Sequence, residues 1–254
     1  MPKKKPAPFL PIITSILVLI LAIIVFFTWS LAKKQESQEP PTEAPEQVQI
    51  AEPINLPKPA ASSRMSVETA LFNRRSRRNF TDSSLTLKQV GQILWAAQGV
   101  TVNWGGRTAP TTKSVYPLTV YLAAHKIDGI SEGIYKYIPG EREAIHQVAL
   151  IKPGNFKEDL GEAVGQNAAK EAPSLLFIAG DFDKMAKAHE GERMDANVYL
   201  EAGHAAQNIY LQAESLSLGT VAISSFDALK LASILNLPAN ESIIYAIPVG
   251  IPKR

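Results

Sequence analysis

Residues able to do chemistry concentrate in one short stretch, Arg74-Arg75-Ser76-Arg77-Arg78-Asn79-Phe80, where four arginines fall within five positions. Guanidinium forks match phosphates and other planar acceptors, and Ser76 adds a hydroxyl donor, so the stretch is a candidate anion site. A solvated basic turn or a membrane-surface patch is the competing reading. A second donor-rich segment runs Gly105-Gly106-Arg107-Thr108-Ala109-Pro110-Thr111-Thr112-Lys113-Ser114. Its glycines permit close backbone approach, and its hydroxyls and Lys113 suit an anionic or polyhydroxyl ligand. Its other reading is a plain surface loop. Lys253-Arg254 adds a third basic point. Three such segments, far apart in the chain, point to an anionic cofactor without naming it.

Other chemistries are excluded or unsignalled. The chain has no cysteine, which removes thiolate catalysis, disulfides and cysteine-ligated zinc or iron–sulfur centres. It has no G-x-G-x-x-G, Walker loop, G-x-S-x-G or H-E-x-x-H. His125, His146, His189 and His204 show no metal-ligand spacing. Of these, His204, near Gln207 and Asn208, is the best placed for a chemical role, with a structural role as the alternative.

The elements that must position these residues mix helices and strands. Ser66 caps a short helix through Arg74, and Thr86-Leu87-Lys88-Gln89 is a capping box opening a helix that ends at Gly99. Leu118–Ala124 reads as a strand, with a hairpin signal at Asp128-Gly129 before Gly133–Ile138. A helix over Phe156–Val164 precedes Pro173 and an apolar strand at Leu175–Ala179. A long helix from Asp195 to Leu218 stops at Gly219. Thr220–Ile223, a helix over Ala228–Leu235 and a strand over Ile243–Val249 follow. Helices mixed with hairpin-joined strands define an α+β domain.

Charge divides the 254 residues further. A basic tail (1–8) leads into Phe9–Ala32, 24 consecutive residues without a charge. As a helix that run spans roughly 36 Å, enough for a bilayer core of about 30 Å. It therefore reads as a transmembrane anchor. A cleaved signal peptide is the alternative, although signal cores run only about 7–15 residues. Three lysines precede the span and two follow it, a small bias placing the N-terminus in the cytoplasm and the domain outside. Residues 33–61 are acidic and proline-rich and read as an extended, largely disordered tether. Residues 62–254 form the globular domain and are close to neutral, which argues against a nucleic-acid partner.

An ordered set of motifs carries a resemblance. It comprises Arg-Arg-Ser-x-Arg-x-Phe at 74–80, Gln92-Ile93-Leu94-Trp95-Ala96-Ala97-Gln98-Gly99, and Arg107-Thr108-Ala109-Pro110. Tyr116-Pro117-Leu118, Gly133-Ile134-Tyr135-x-Tyr137, Gly203-His204-Ala205-Ala206-Gln207-Asn208 and Leu218-Gly219-Thr220 follow. Together they resemble the nitroreductase-like flavoproteins, in the branch that includes the thiazoline and oxazoline oxidases of peptide-toxin clusters. The resemblance covers about 66–254 and implies a homodimeric α+β fold with FMN at each side of the dimer interface. It further implies that Arg74, Arg75, Ser76 and Arg78 hold the phosphate, ribityl chain and pyrimidine edge. The loop with Pro110, Thr111, Lys113 and Ser114 would come from the partner subunit. The amides of Ser224 and Ser225 would face flavin N5 and O4, and Lys253 and Arg254 the phosphate. On the same ground the long helix forms the dimer core, and small-molecule electron donor and acceptor take turns at one flavin face. The sequence departs from the pattern at Thr111-Thr112-Lys113, where many relatives carry Pro-Ser, a small residue and glycine. That departure favours one alternative, a flavin-free binding protein of the same fold; a flavin enzyme of other chemistry, such as peptide azoline oxidation or dehalogenation, is a third reading, because fold does not fix substrate. A domain outside the cytoplasm would also need a donor other than NAD(P)H, such as a membrane quinol.

Overall fold

The computed structural model describes residues 23, 24, 26–30, 52–140 and 145–253. The chain divides into units over Met1–Gln49 and Ile50–Arg254. In the first, Ile23, Ile24 and residues 26–30 are helical and exposed. The rest of the anchor expected over 9–32, the basic tail, tether residues 33–51 and Arg254 lie outside the described residues. Among the described residues no helix is long and apolar enough to cross a membrane.

The second unit opens with β1 (Ile54–Asn55), α1 (Val67–Asn73), β2 (Leu85–Thr86) and α2 (Leu87–Gln98). Next come β3 (Leu118–Ala124), β4 (Ile127–Asp128), β5 (Gly133–Ile138), β6 (Gln147–Pro153), α3 (Lys157–Val164) and α4 (Asn167–Glu171). It continues through β7 (Ser174–Asp181), α5 (Phe182–Ala188), α6 (Asp195–Ser215), β8 (Gly219–Thr220), α7 (Ala228–Ile234) and β9 (Glu241–Gly250). Seven strands form one sheet in the order β1-β6-β5-β3-β7-β9-β8. Every pairing within it is antiparallel. β2 and β4 form a small parallel pair.

Helices cover both faces of this sheet, and β7 shows why. Its run Ser-Leu-Leu-Phe-Ile-Ala-Gly is buried throughout, as a strand covered on both sides must be. Leu176 and Ile178 pack with Val90, Ile93 and Leu94 of α2 and Ala202, Ala205 and Ile209 of α6. Leu175, Phe177 and Ala179, one residue out of phase, pack with Leu160 and Ala163 of α3, Ala168 and Ala169 of α4, and Leu231 of α7. The architecture is α+β, as the sequence predicts.

Several expected boundaries hold because local chemistry sets them. The Ser66 hydroxyl accepts from Thr69 N–H to cap α1, and both halves of the capping box form at the start of α2. Two expectations are corrected. The long helix ends at Ser215 rather than Leu218, and Ser217, not Gly219, takes the left-handed conformation (φ 56°). Gly219 instead enters β8, where a Cβ would lie 3.1 Å from Arg77 Cβ and 3.2 Å from Phe80 Cε1. Its value is therefore its lack of bulk.

The domain also takes in the last residues assigned by composition to the tether. Ile54 and Asn55 pair with Val148 and Gln147, and Leu56 is buried. The His146 ring bonds Pro57 O at 2.9 Å, and the Gln92 side chain accepts from Ala60 N–H (2.7 Å) and donates to Ala60 O (3.1 Å). Proline-rich sequence has no period to announce such docking; side chains of the domain supply it.

Candidate functional site

The arginine stretch leaves α1 as extended chain and is pinned along both edges. Arg77 N–H donates to Thr220 O (3.0 Å), Thr81 N–H to Ile251 O (2.8 Å), and Lys253 N–H to Asn79 O (3.0 Å). Phe80, 1% exposed, bridges to Pro252 and sits over Gly219 and Gly250. A Cβ on Gly250 would come within 3.0 Å of the Phe80 ring and 2.8 Å of Pro173, so this close approach requires glycine. The structure thus places Arg74–Arg78 and Lys253 on adjoining stretches of chain.

The four arginines then separate into two kinds. Arg77 forms an ion pair with the largely buried Glu214 of α6 and is structural. Arg74 lies over the Tyr210 ring, its guanidinium carbon 5.2 Å from the centroid. Arg75 donates to Phe72 O and Arg74 O, both backbone carbonyls. Arg75 and Arg78 are exposed, and among the described residues no carboxylate pairs with Arg74, Arg75 or Arg78. Lys253 is paired with Glu171, 3.3 Å away, which also accepts from Phe80 N–H.

Tyr210 is the hub that sequence reasoning missed. Its hydroxyl accepts from Ala222 N–H (2.8 Å) and bonds Ser76 Oγ (3.1 Å). It thereby ties the arginine stretch to the chain leading into Ser224 and Ser225, both exposed. Its spacing of four from Glu214 on one helix was the available signal, since both then face the same strip.

The loop carrying Pro110, Thr111, Lys113 and Ser114 lies elsewhere. Asn208, two residues and so about 200° around α6 from Tyr210, donates to Thr108 O. Lys113 Nζ reaches Ala188 O at 3.3 Å. Among the described residues, no hydrogen bond or ion pair joins this loop to the arginine stretch or to Ser224 and Ser225. Lys113, Ser114 and Tyr116 all have left-handed backbones (φ 52°, 57° and 49°). Each such non-glycine residue costs on the order of 1 kcal/mol and persists only where surroundings over-determine it.

Those surroundings are a buried polar cluster. Arg107 donates to Gln98 Oε1 (2.9 Å), and Gln98 donates to Glu201 Oε1 of α6 (3.3 Å). Burial lowers the Arg107 pKa and raises that of Glu201; the Thr111 hydroxyl and Gln98 amide facing Glu201 pull it partly back. The Arg107 guanidinium also lies 4.7 Å from the Tyr116 ring centroid. Of the histidines, His204 is exposed on α6, whereas His125 and His146 are buried. Among the described residues no cluster of histidine and acidic side chains could hold a metal.

Residues 71–251 match the nitroreductase family, to which this chain belongs. A candidate nitroreductase of Methanocaldococcus jannaschii is 36% identical over 189 residues, covering 72% of this chain and 90% of the relative. A solved candidate nitroreductase from Ralstonia eutropha superposes with a TM-score of 0.67 at 28% identity, over 80% of this chain and 90% of that one. Another from Anabaena variabilis gives a TM-score of 0.63 at 25% identity over 74% of this chain, which spans only 38% of that longer protein. The family is one of oxidoreductases.

Proposed function

We propose that the protein is a membrane-anchored, FMN-dependent oxidoreductase that works as a homodimer and passes electrons between small molecules. One observation carries the cofactor reading. Three guanidiniums, Arg74, Arg75 and Arg78, gather in five residues and pair with no carboxylate among the described residues, while Arg77 between them is internally paired. Such a donor set fits a phosphate, with Ser76 and the exposed Ser224 and Ser225 segment on the same side of α6. Arg74, Arg75, Ser76 and Arg78 would hold the phosphate, ribityl chain and pyrimidine edge, with Lys253 and Arg254 toward the phosphate. When bound, FMN would supply hydride acceptance and release at its N5. The protein's part is to position donor and acceptor in turn and to stabilise negative charge, the latter assigned to Arg78.

The homodimer reading rests on α6 and the displaced loop. Leu200, Gly203, His204 and Gln207 form a stripe at i, i+3, i+4 and i+7. Leu200 is 60% exposed, and a Cβ on Gly203 would touch nothing within 4 Å. A second copy on that stripe, with the partner's Pro110–Ser114 loop meeting the arginines, is the arrangement that the resemblance implies. The anchor reading rests on the uncharged run at 9–32, and the lysine bias favours a domain outside the cytoplasm. The ordered motif set resembles the branch that includes the thiazoline and oxazoline oxidases, which keeps peptide azoline oxidation as the alternative chemistry.

The test is the visible spectrum of detergent-solubilised full-length protein after incubation with FMN and desalting. Retained flavin bands, lost in Arg74→Ala and Arg78→Ala, are the expected result. Bleaching by NADH or NADPH without oxygen identifies the donor; bands that ignore both point to a quinol. A folded, colourless protein leaves a flavin-free binding protein, the reading that Lys113 in the loop favours.

A further inference from the structure

The cluster around Arg107 has features that a core made only for stability would lack. Arg107 Nε and Glu201 Oε2 are both buried without a hydrogen-bond partner among the described residues, though they carry opposite charge. Gln98 links them directly, taking a bond from the guanidinium and giving one to the carboxylate. Apolar residues of similar volume would avoid both desolvation penalties. The charges need another explanation, and the loop they face supplies it.

Among the described residues, the hydrogen bonds that leave that loop run to this cluster or to α5. Arg107 N–H donates to the Tyr116 hydroxyl (3.2 Å), while the Arg107 guanidinium stacks on the same ring. Tyr116 N–H donates to Thr111 Oγ1 (3.1 Å), and Thr111 faces Glu201. Lys184 Nζ holds Tyr116 O at 3.0 Å. Between these ties sit Lys113, Ser114 and Tyr116, the three left-handed positions. Without the ties, each would relax to the right-handed or extended region.

We infer that Arg107, Gln98 and Glu201 are positioning residues: a buried relay from α6 through α2 that locks the 111–116 loop in its left-handed form and so fixes how Thr111, Lys113 and Ser114 meet the flavin. The inference rests on the proposed function for the identity of the ligand, though not for the clamp. A loop fixed before binding loses no ordering entropy on binding, so the relay acts on cofactor affinity through pre-organisation.

Two near-isosteric variants, Gln98→Leu and Glu201→Gln, test it in the full-length protein by two readouts. The first is hydrogen exchange without flavin: the Arg107, Val115 and Tyr116 amides should exchange about tenfold faster in Gln98→Leu, while Arg77 and Thr81 stay as in wild type. The second is FMN affinity with the bound-flavin spectrum: Gln98→Leu should weaken binding by about tenfold or more and shift the bands. Glu201→Gln, which keeps the acceptor oxygen for Gln98, should fall between wild type and Gln98→Leu in both. Unchanged loop exchange in both variants overturns the clamp. Faster exchange with unchanged FMN affinity and spectrum overturns the positioning role. Wild-type protein that holds no FMN sinks the proposed function and this role with it, while the exchange measurement still decides the clamp by itself.

Discussion

Two arginine-bearing segments look alike in sequence and are used in opposite ways. Arg74, Arg75 and Arg78 pair with no carboxylate among the described residues, whereas Arg107 is drawn inward and answered through Gln98 by Glu201. The difference lies in what flanks them. Arg74–Arg78 follow a helix of seven residues and run along a sheet edge, where only Arg77 meets an acid. Arg107 follows Gly105 and Gly106 in a turn that folds back on α2, placing its guanidinium under Tyr116. Charge kept outside is available to a ligand; charge taken inside shapes the backbone.

The comparison is open to attack, beginning with the largest effect. Phe80→Ala should lower the unfolding free energy by about 4 kcal/mol, since it empties a site packed against Gly219 and Gly250 and frees both edges of the arginine stretch. Denaturant titration checks this, and a loss below about 1 kcal/mol would mean the stretch is not held by that anchor.

His125 gives the next effect. Burial, with Lys157 adding to it, brings its pKa down from 6.5 to about 4, and neither ring nitrogen has a partner among the described residues. As pH falls from about 6.5 toward 4, the unfolded chain takes up a proton that the native ring refuses. Stability therefore drops on acidification, by up to about 3 kcal/mol. His125→Leu should remove that part of the acid dependence in melting temperatures measured from pH 7 to 4.5; parallel curves would show the ring finds a partner on protonation.

Glu214→Ala comes third. It leaves Arg77 uncompensated but about a third exposed, so the expected loss is about 2 kcal/mol, below the range for fully buried pairs. The smallest effect belongs to the open group. Arg78→Ala should change stability by no more than about 0.5 kcal/mol while weakening FMN binding about tenfold. If Arg78→Ala destabilises as much as Glu214→Ala, the division into open and internal arginines fails.

The sequence made the long elements and the arginine cluster readable, and the reasons are local. β3 was bounded correctly because its apolar run stands alone between turn signals, and α2 because its capping box and Gly99 act within a few residues. Of the elements the sequence reading lacks, β1, β2 and β4 have two residues each and α4 and α5 are short helices, whose stability comes from neighbours; β6, with its Val-Ala-Leu-Ile run, is an apolar strand that the pattern could have shown. The same holds at the site. Type and spacing single out Arg74, Ser76 and Lys253 as candidates, but Tyr210, Gln98 and Glu201 act through partners far away in the chain, which periodicity does not report.

One feature of the sheet governs how the molecule must be made. β9 lies between β7 and β8, with Ser174 opposite Val249, so an inner position is filled by a strand synthesised long after its neighbour. Until that strand emerges, the buried run of β7 has an open edge, the kind of surface that recruits other chains. Fragments ending before β9 should therefore self-associate through that edge, whereas chains carrying β9 through Gly250 should not.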